Sequence, residues 1–169
     1  IIDRFFDHYF EINAGIGPHK SPELYGAFPT DPYSHTPMGK GAQQPGMTGQ
    51  VKEDILSRFS ELGIFVENGV LRFNPTMLKK SEFLNEPEDF EYYDVNSKKQ
   101  RIVLPAGSLA FTICQVPIIY KINMTEAISI EFSNGKSKQL KGNKLDLNIS
   151  DEIFKRTSKV KKIIVYVNK

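Results

Sequence analysis

Hydrophobic side chains recur at helical spacing in two stretches before residue 63. The first stretch opens the chain, and its apolar stripe consists of Ile2, Phe5, Phe6, Tyr9 and Phe10. The second has the same period, and its apolar positions are Val51, Ile55, Phe59 and Leu62. Residues on one helix face recur three and four positions apart, so these patterns predict helices over about 2–14 and 48–62. Thr48 is the expected N-cap of the second helix, and Gly63 is its expected left-handed stop.

After Gly63 the hydrophobic period changes from helix to strand. Apolar and polar residues alternate in short segments that are separated by turn residues. The predicted strands cover 69–75, 90–92, 101–104, 108–122, 128–132, 136–140, 145–149 and 163–167. Asn134-Gly135 is the strongest hairpin signal in the chain. Pro117 is expected to interrupt the strand 108–122 or to lie at its edge.

These elements predict an α+β chain in two parts. Residues 1–63 hold two N-terminal helices joined by a long polar loop, and residues 64–169 form an antiparallel β-sandwich or partial barrel. A single helical turn at 152–155, which Ser150 is expected to cap, interrupts the strands. The stripe of the first helix must be buried. We expect it to pack on the second helix and the sandwich, or to be covered by the rest of a parent chain or by a second copy.

Composition narrows the classes of function. The chain of 169 residues is 40% hydrophobic and 25% charged, which is typical of a soluble globular protein. A net charge of +2 gives no reason to expect nucleic acid or an anionic membrane as a partner. No apolar run is long enough to span a membrane. Because Ile1 opens inside a helical pattern, without an initiator methionine or a signal peptide, we expect a longer parent chain. A signal peptide on that parent would make the protein periplasmic or secreted.

The long loop between the predicted helices carries the candidate chemistry, because loops of this length in compact domains are usually functional. His19, His35, Glu23 and Asp31 offer metal-ligating atoms, but no spacing such as HExxH is present. We therefore expect ordinary surface histidines, with no metal and no cofactor. Cys114 is the single cysteine, which excludes disulfides within the chain. It alternates with apolar residues and is expected to be a core thiol in mid-strand.

Two carboxylates are the minimum for glycoside hydrolysis by the usual route, and Glu23 and Asp31 are the catalytic candidates. Both residues fit equally well as capping or surface acids. The same loop is rich in aromatic and hydrogen-bonding side chains, which stack on sugar rings and bind their hydroxyls. The expected substrate-binding residues are Tyr33, His35, Gln44, Thr48 and Gly49. In the alternative interpretation, the prolines and aromatics of the loop only brace the helices.

The passage over 62–75 reads Leu-Gly-Ile-Phe-Val-Glu-Asn-Gly-Val-Leu-Arg-Phe-Asn-Pro, and it follows a predicted helix that begins at Thr48-Gly49. This organisation resembles the end of carbohydrate-active enzymes built on an (α/α)6 barrel, the six-hairpin glycosidases and the related disaccharide phosphorylases. The resemblance implies a last barrel helix followed by a small C-terminal β-sandwich. In the phosphorylases, a Thr-Gly before the last helix helps to hold phosphate. Here Gln43-Gln44-Pro45-Gly46 departs from the phosphorylase pattern.

The resemblance further implies that the chain is the C-terminal part of a glycoside hydrolase-like enzyme with carbohydrate as its partner. It would contribute a rim of the sugar site and a structural sandwich, and it would be inactive without the rest of the barrel. The residues themselves leave two alternatives open. One is a noncatalytic carbohydrate-binding module, and the other is a protein-interaction module.

Overall fold

A computed structural model describes residues 56–169 of the chain. In this part a helix, α1, is described over 56–61, and nine strands and one further helix follow it. In chain order these are β1 (Ile64–Glu67), β2 (Val70–Phe73), β3 (Glu88–Tyr93), β4 (Lys99–Leu104), β5 (Ser108–Ile113), β6 (Val116–Ile122), β7 (Ala127–Phe132), β8 (Ser137–Lys141), α2 (Leu147–Phe154) and β9 (Val160–Val167). A short 3-10 turn, Lys80–Glu82, lies between β2 and β3. Phe59–Lys169 is one compact unit.

The strands of this part form three sheets. β1 pairs with β2, and β3 pairs with β4, each as a two-stranded antiparallel hairpin. The largest sheet has five strands in the order β5-β6-β9-β7-β8. The last strand, β9, lies in the middle of this sheet, parallel to β6 and antiparallel to β7. Its run Ile-Ile-Val-Tyr-Val is suited to a strand with neighbours on both sides.

The hydrophobic core lies on one face of the five-stranded sheet. Because side chains alternate between the two faces of a strand, β6, β7 and β9 each send every second residue to this face. These residues are Ile118, Tyr120, Ile128, Ile130, Ile163 and Val165, and all are buried. Leu71 and Phe73 of β2 and Ile149 and Ile153 of α2 belong to the same cluster. The β1–β2 hairpin and α2 therefore share one core with the sheet.

The end of α1 is attached to the β-rich region at Gly63. This glycine has φ +65°, and a Cβ built on it would lie 2.1 Å from the backbone carbon of Asn74. No residue with a side chain fits there, and the predicted helix stop is confirmed. The Asn74 N–H donates to the Gly63 carbonyl at 2.6 Å. The buried hydroxyl of Tyr120 donates to the Leu62 carbonyl oxygen at 2.6 Å.

The strand predicted over 145–149 is wrong, because Leu147–Phe154 is the helix α2. Helical spacing buries Ile149 and Ile153 and leaves Leu147 exposed, whereas a strand would place Leu147 and Ile149 on the same face. Ser150 does not cap a later turn, since it lies inside the helix. Its buried Oγ accepts the Leu71 backbone N–H at 3.0 Å and donates to the Asp146 carbonyl at 3.0 Å.

The expected break in the segment 108–122 falls at Cys114 and Gln115, not at Pro117. Cys114 and Gln115 both have positive φ, 47° and 67°, and form the two-residue turn between β5 and β6. Cys114 is thus a half-buried turn residue that packs on the edge of the core, and the mid-strand prediction is corrected. Pro117 lies inside β6, one residue before the pairing with β9 begins at Ile118. Proline has no backbone N–H, but at this position no hydrogen bond between β6 and β9 is lost.

The α+β class is confirmed at the level of mixed helix and sheet content. The prediction of an antiparallel β-domain does not hold for every strand pair, because β6 and β9 of the five-stranded sheet are parallel. The helix predicted over 2–14 and the start of the helix over 48–62 lie outside the described residues. The division into 1–63 and 64–169 stays a prediction. Among the described helices, none is long and apolar enough to cross a membrane.

Candidate functional site

The site residues expected from the sequence all precede residue 56, where the described part of the chain begins. They are Glu23, Asp31, Tyr33, His35, Gln44, Thr48 and Gly49. The aromatic stripe of the first predicted helix precedes it as well. These assignments stay predictions. The candidate site that the structure itself describes is formed by other residues, between 92 and 161.

A pocket of about 210 Å³ lies at one end of the five-stranded sheet, next to the tip of the β3–β4 hairpin. The hairpin contributes Tyr92, Asp94 and Gln100, and the β5–β6 turn contributes Gln115. Lys161 comes from the start of β9. Residues more than sixty positions apart in the sequence thus share one concave surface, which also has apolar wall segments.

The β3–β4 hairpin presents two chemically different faces. Phe90 pairs with Ile102 and Tyr92 with Gln100, and these four half-buried side chains share one face. The opposite face is exposed and charged, with ion pairs from Lys99 to Glu91 at 2.7 Å and from Arg101 to Asp89 at 2.6 Å. The pocket is lined from the first face. The alternation of strand side chains therefore determines which residues of the hairpin reach it.

Asp94 organises the polar wall of the pocket. Its Oδ1 accepts the backbone N–H groups of Asn96 at 2.9 Å and Lys98 at 3.0 Å, which closes the hairpin turn. Its Oδ2 accepts the Gln100 side-chain amide at 2.8 Å. The hydrogen bond from the Lys98 backbone, with those from Gln100 and Asn96, lowers the pKa of Asp94 below its ordinary value. This carboxyl is therefore ionised at neutral pH.

The two glutamines of the pocket are oriented by Asp94. A carboxylate only accepts, so the Gln100 amide nitrogen must face it. The Gln115 amide nitrogen donates to the Asp94 backbone carbonyl at 3.1 Å. Within the described structure neither glutamine Oε1 has a hydrogen-bond partner, and two carbonyl acceptors remain available to a ligand.

Tyr92 supplies an aromatic surface and a hydroxyl donor. Its ring stacks on Phe90 with centroids 5.6 Å apart and an interplanar angle of 16°, which fixes the ring orientation. Burial raises the pKa of Tyr92, and the charge of Asp94 raises it further. The hydroxyl therefore stays protonated at neutral pH and can donate a hydrogen bond.

A β-bulge at the start of β9 places two lysines beside one carboxylate. The register between β7 and β9 shifts at Glu131 and Phe132. Glu131 as a result contacts both Lys161 at 2.7 Å and Lys162 at 2.9 Å. The Lys161 hydrogen bond is the main cause that lowers the pKa of Glu131, and Glu131 in turn raises the pKa of Lys161. The ammonium group at the pocket is therefore neutralised locally.

Left-handed backbone conformations gather in the turns around this pocket. Gln115 and Ser158, which line it, have φ of 67° and 63°. Positive φ also occurs at Ser97 in the β3–β4 turn, at Cys114 in the β5–β6 turn and at Arg156 between α2 and β9. Such conformations cost energy for residues other than glycine and are more frequent near functional sites than elsewhere. The Ser133 hydroxyl, which donates to the Ser158 carbonyl, connects two of the loops at the pocket.

The sequence alone indicates the local structure of some residues of this pocket, but not that they come together. Residues 94–97 are typical of a turn, and Phe90 and Tyr92 alternate as a strand, but nothing in the sequence connects them to Gln115 or Lys161. Among the described residues, no three histidine, cysteine or acidic side chains lie close enough together to hold a metal ion. The groups present can bind through hydrogen bonds and an aromatic face. No protein-family model and no curated protein sequence matches the chain.

Proposed function

We propose that the chain is the C-terminal region of a carbohydrate-active enzyme resembling the six-hairpin glycosidases. In this proposal the loop over 19–48 supplies part of a sugar site through Tyr33, His35, Gln44 and Thr48. The β-rich region is a noncatalytic sandwich domain that follows the last barrel helix. Glu23 and Asp31 are the catalytic candidates within the chain.

The junction at Gly63 is the observation that supports this proposal. The resemblance implies that a helix ends at a leucine-glycine pair and leads directly into a β-domain. Leu62 and Gly63 do end a helix, and their carbonyl groups accept hydrogen bonds from Tyr120 and Asn74. A Leu-Gly pair in an ordinary loop would not need the close approach of Gly63 to the Asn74 backbone.

Paired loop variants test the proposal. We expect Tyr33→Ala with His35→Ala to weaken binding of oligosaccharides to the 169-residue chain, measured by calorimetry, with an unchanged melting temperature. Tyr93→Ala is the matched control, because this exposed residue lies on the charged face of the β3–β4 hairpin. If the loop is instead a brace, the double variant will lower the melting temperature and leave binding per folded molecule intact, and the proposal fails.

A noncatalytic carbohydrate-binding module is the second candidate function. The polar and aromatic pocket beside the β3–β4 hairpin favours it, because this pocket needs no barrel to form. A chain of this kind would bind sugar without residues 19–48. The loop variants would then leave the affinity for sugar unchanged.

A further inference from the structure

We propose that the pocket beside the β3–β4 hairpin binds a single neutral, hydroxyl-rich ring, a monosaccharide unit, through Tyr92, Gln100 and Gln115. The residues of this site are all different from those of the loop over 19–48. The proposal uses the proposed function only to prefer a sugar over other cyclic polyols. The pocket itself is inferred from the described residues.

The hydrogen-bonding groups of the pocket match the hydroxyls of a sugar. A hydroxyl both donates and accepts, and it can use a carbonyl acceptor and a phenol donor at the same time. The available acceptors are Oε1 of Gln100, Oε1 of Gln115 and the remaining lone pair of Asp94 Oδ2. Tyr92 supplies a hydroxyl donor, because its raised pKa keeps the proton on the phenol.

The charges around the pocket favour a neutral ligand over an anion. An anion would meet the ionised carboxylate of Asp94, whose pKa is lowered by its hydrogen bonds. Lys161 does little to attract an anion, because its ammonium group is already paired with Glu131 at 2.7 Å. A neutral ligand avoids the repulsion from Asp94, so the arrangement discriminates against anions.

The size and the walls of the pocket fit one ring. Its 210 Å³ lies below the roughly 300–1,000 Å³ that is usual for drug-sized ligands, which leaves room for one sugar ring. Pro117 and Val160 are buried apolar residues of the lining. They back the pocket with an apolar wall, while the ring of Tyr92 offers an aromatic surface and the glutamines face the hydroxyls of a sugar.

The polar groups are ordered before a ligand arrives. Gln100 and Gln115 are both held by Asp94, and Tyr92 is held by its stack on Phe90. Binding therefore does not need to immobilise these side chains, whose ordering would otherwise weaken the affinity. The same hydrogen bonds turn each amide nitrogen towards Asp94, so each glutamine oxygen and one N–H of each amide remain available.

Titration of the whole chain with small sugars tests this site. The probes are glucose, galactose, mannose and xylose, with glucuronate and glucosamine as charged analogues. We expect at least one neutral sugar to shift the backbone amide signals of residues 92–100, 115 and 158–161. We also expect it to bind about ten-fold more tightly than glucuronate, the anionic analogue.

Single-atom and isosteric variants make the test specific. Tyr92→Phe removes one hydroxyl and keeps the ring stacked on Phe90, so binding is expected to weaken about three- to ten-fold. Tyr93→Phe is the matched control and is expected to bind normally, because Tyr93 lies on the exposed face. Gln100→Leu should also weaken binding, whereas Gln139→Leu on the exposed edge strand β8 should not. Melting temperatures identify any variant that fails to fold.

The proposal is overturned if no neutral sugar shifts the pocket signals, if glucuronate binds more tightly than the neutral sugars, or if Tyr92→Phe binds as well as Tyr93→Phe. Its failure is distinguishable from that of the proposed function. Sugar binding that survives Tyr92→Phe and is lost in Tyr33→Ala would remove this pocket and support the loop. Binding lost in Tyr92→Phe and kept in Tyr33→Ala would support the pocket alone.

Discussion

Single residues decide whether the helix end and the sheet can approach each other. Gly63 combines a left-handed φ with a Cβ position 2.1 Å from the Asn74 backbone. Tyr120 is buried between Phe73 and Phe111, whose ring centroids lie 6.1 Å and 5.1 Å from its own. Burial raises the pKa of its phenol far above the ordinary value, so its hydroxyl is a permanent donor to Leu62.

Gly63→Ala is expected to destabilise the protein by more than about 3 kcal/mol, because the left-handed cost of about 1–2 kcal/mol adds to a backbone clash. Gly142→Ala is the control. It has φ of 81° and nothing within 4 Å of its Cβ position, so only the conformational cost applies. Denaturant unfolding measures both. Equal losses would show that Asn74 moves away freely.

At the scale of elements, hydrogen bonds outside the regular ladders join α2 and the segment just before it to the β1–β2 hairpin. Ser150 accepts the Leu71 N–H, and the Leu145 N–H donates to the Leu71 carbonyl at 2.9 Å. The Phe73 N–H donates to the Asn143 carbonyl at 2.8 Å. These hydrogen bonds occupy backbone groups on the edge of β2 that does not pair with β1. Without them, that edge would be open to pairing with another chain.

The helical conformation of α2 predicts unequal effects of two similar truncations. Ile149→Ala is expected to cost about 2–5 kcal/mol because Ile149 is only 7% exposed in the core. Leu147→Ala is expected to cost less than about 1 kcal/mol, because Leu147 is 56% exposed. Chemical denaturation of the two variants makes the comparison. Similar costs would be the result expected of a strand and would contradict the helix.

For the described part of the molecule as a whole, the lysines at 155–162 are paired with acidic side chains and do not stand as a free cluster of positive charge. Lys155 pairs with Asp151 at 2.8 Å, Lys159 with Glu152 at 2.7 Å, and Lys161 and Lys162 both pair with Glu131. Exposed pairs of this kind add little stability individually. Their effect is to balance charge locally, in agreement with the small net charge of +2.

Stability is expected to depend on pH through Glu131. The hydrogen bonds from Lys161 and Lys162 lower its pKa from the ordinary 4.5, so the folded state favours the ionised form. This contribution is present above about pH 4.5 and is lost as the pH falls through the lowered folded value. The difference in melting temperature between the protein and Glu131→Gln should therefore shrink between about pH 6 and pH 3. A difference that stays constant between about pH 6 and pH 3 would contradict this prediction.

The local pattern of the sequence was enough to predict many elements of the described part. The alternation of Phe90 with Tyr92 and of Ile128 with Ile130 placed β3 and β7, because a strand that buries one face needs period two. Gly63 was identified as a helix stop, since only glycine takes a left-handed φ without strain. β1 was missed because only Ile64 of its four residues is buried, so it has no alternation.

Tertiary structure alone decided the rest. Leu145, Leu147 and Ile149 fit a strand equally well by period, and the core that receives Ile149 and Ile153 selects the helix instead. The central position of β9 depends on pairing with β6 and β7, which lie far from it in sequence. The pocket follows from that pairing, because it joins Tyr92, Gln115 and Lys161 only when the hairpin and β9 meet at one end of the sheet. A sequence specifies local periods directly, whereas long-range neighbours are selected by packing the whole chain at once.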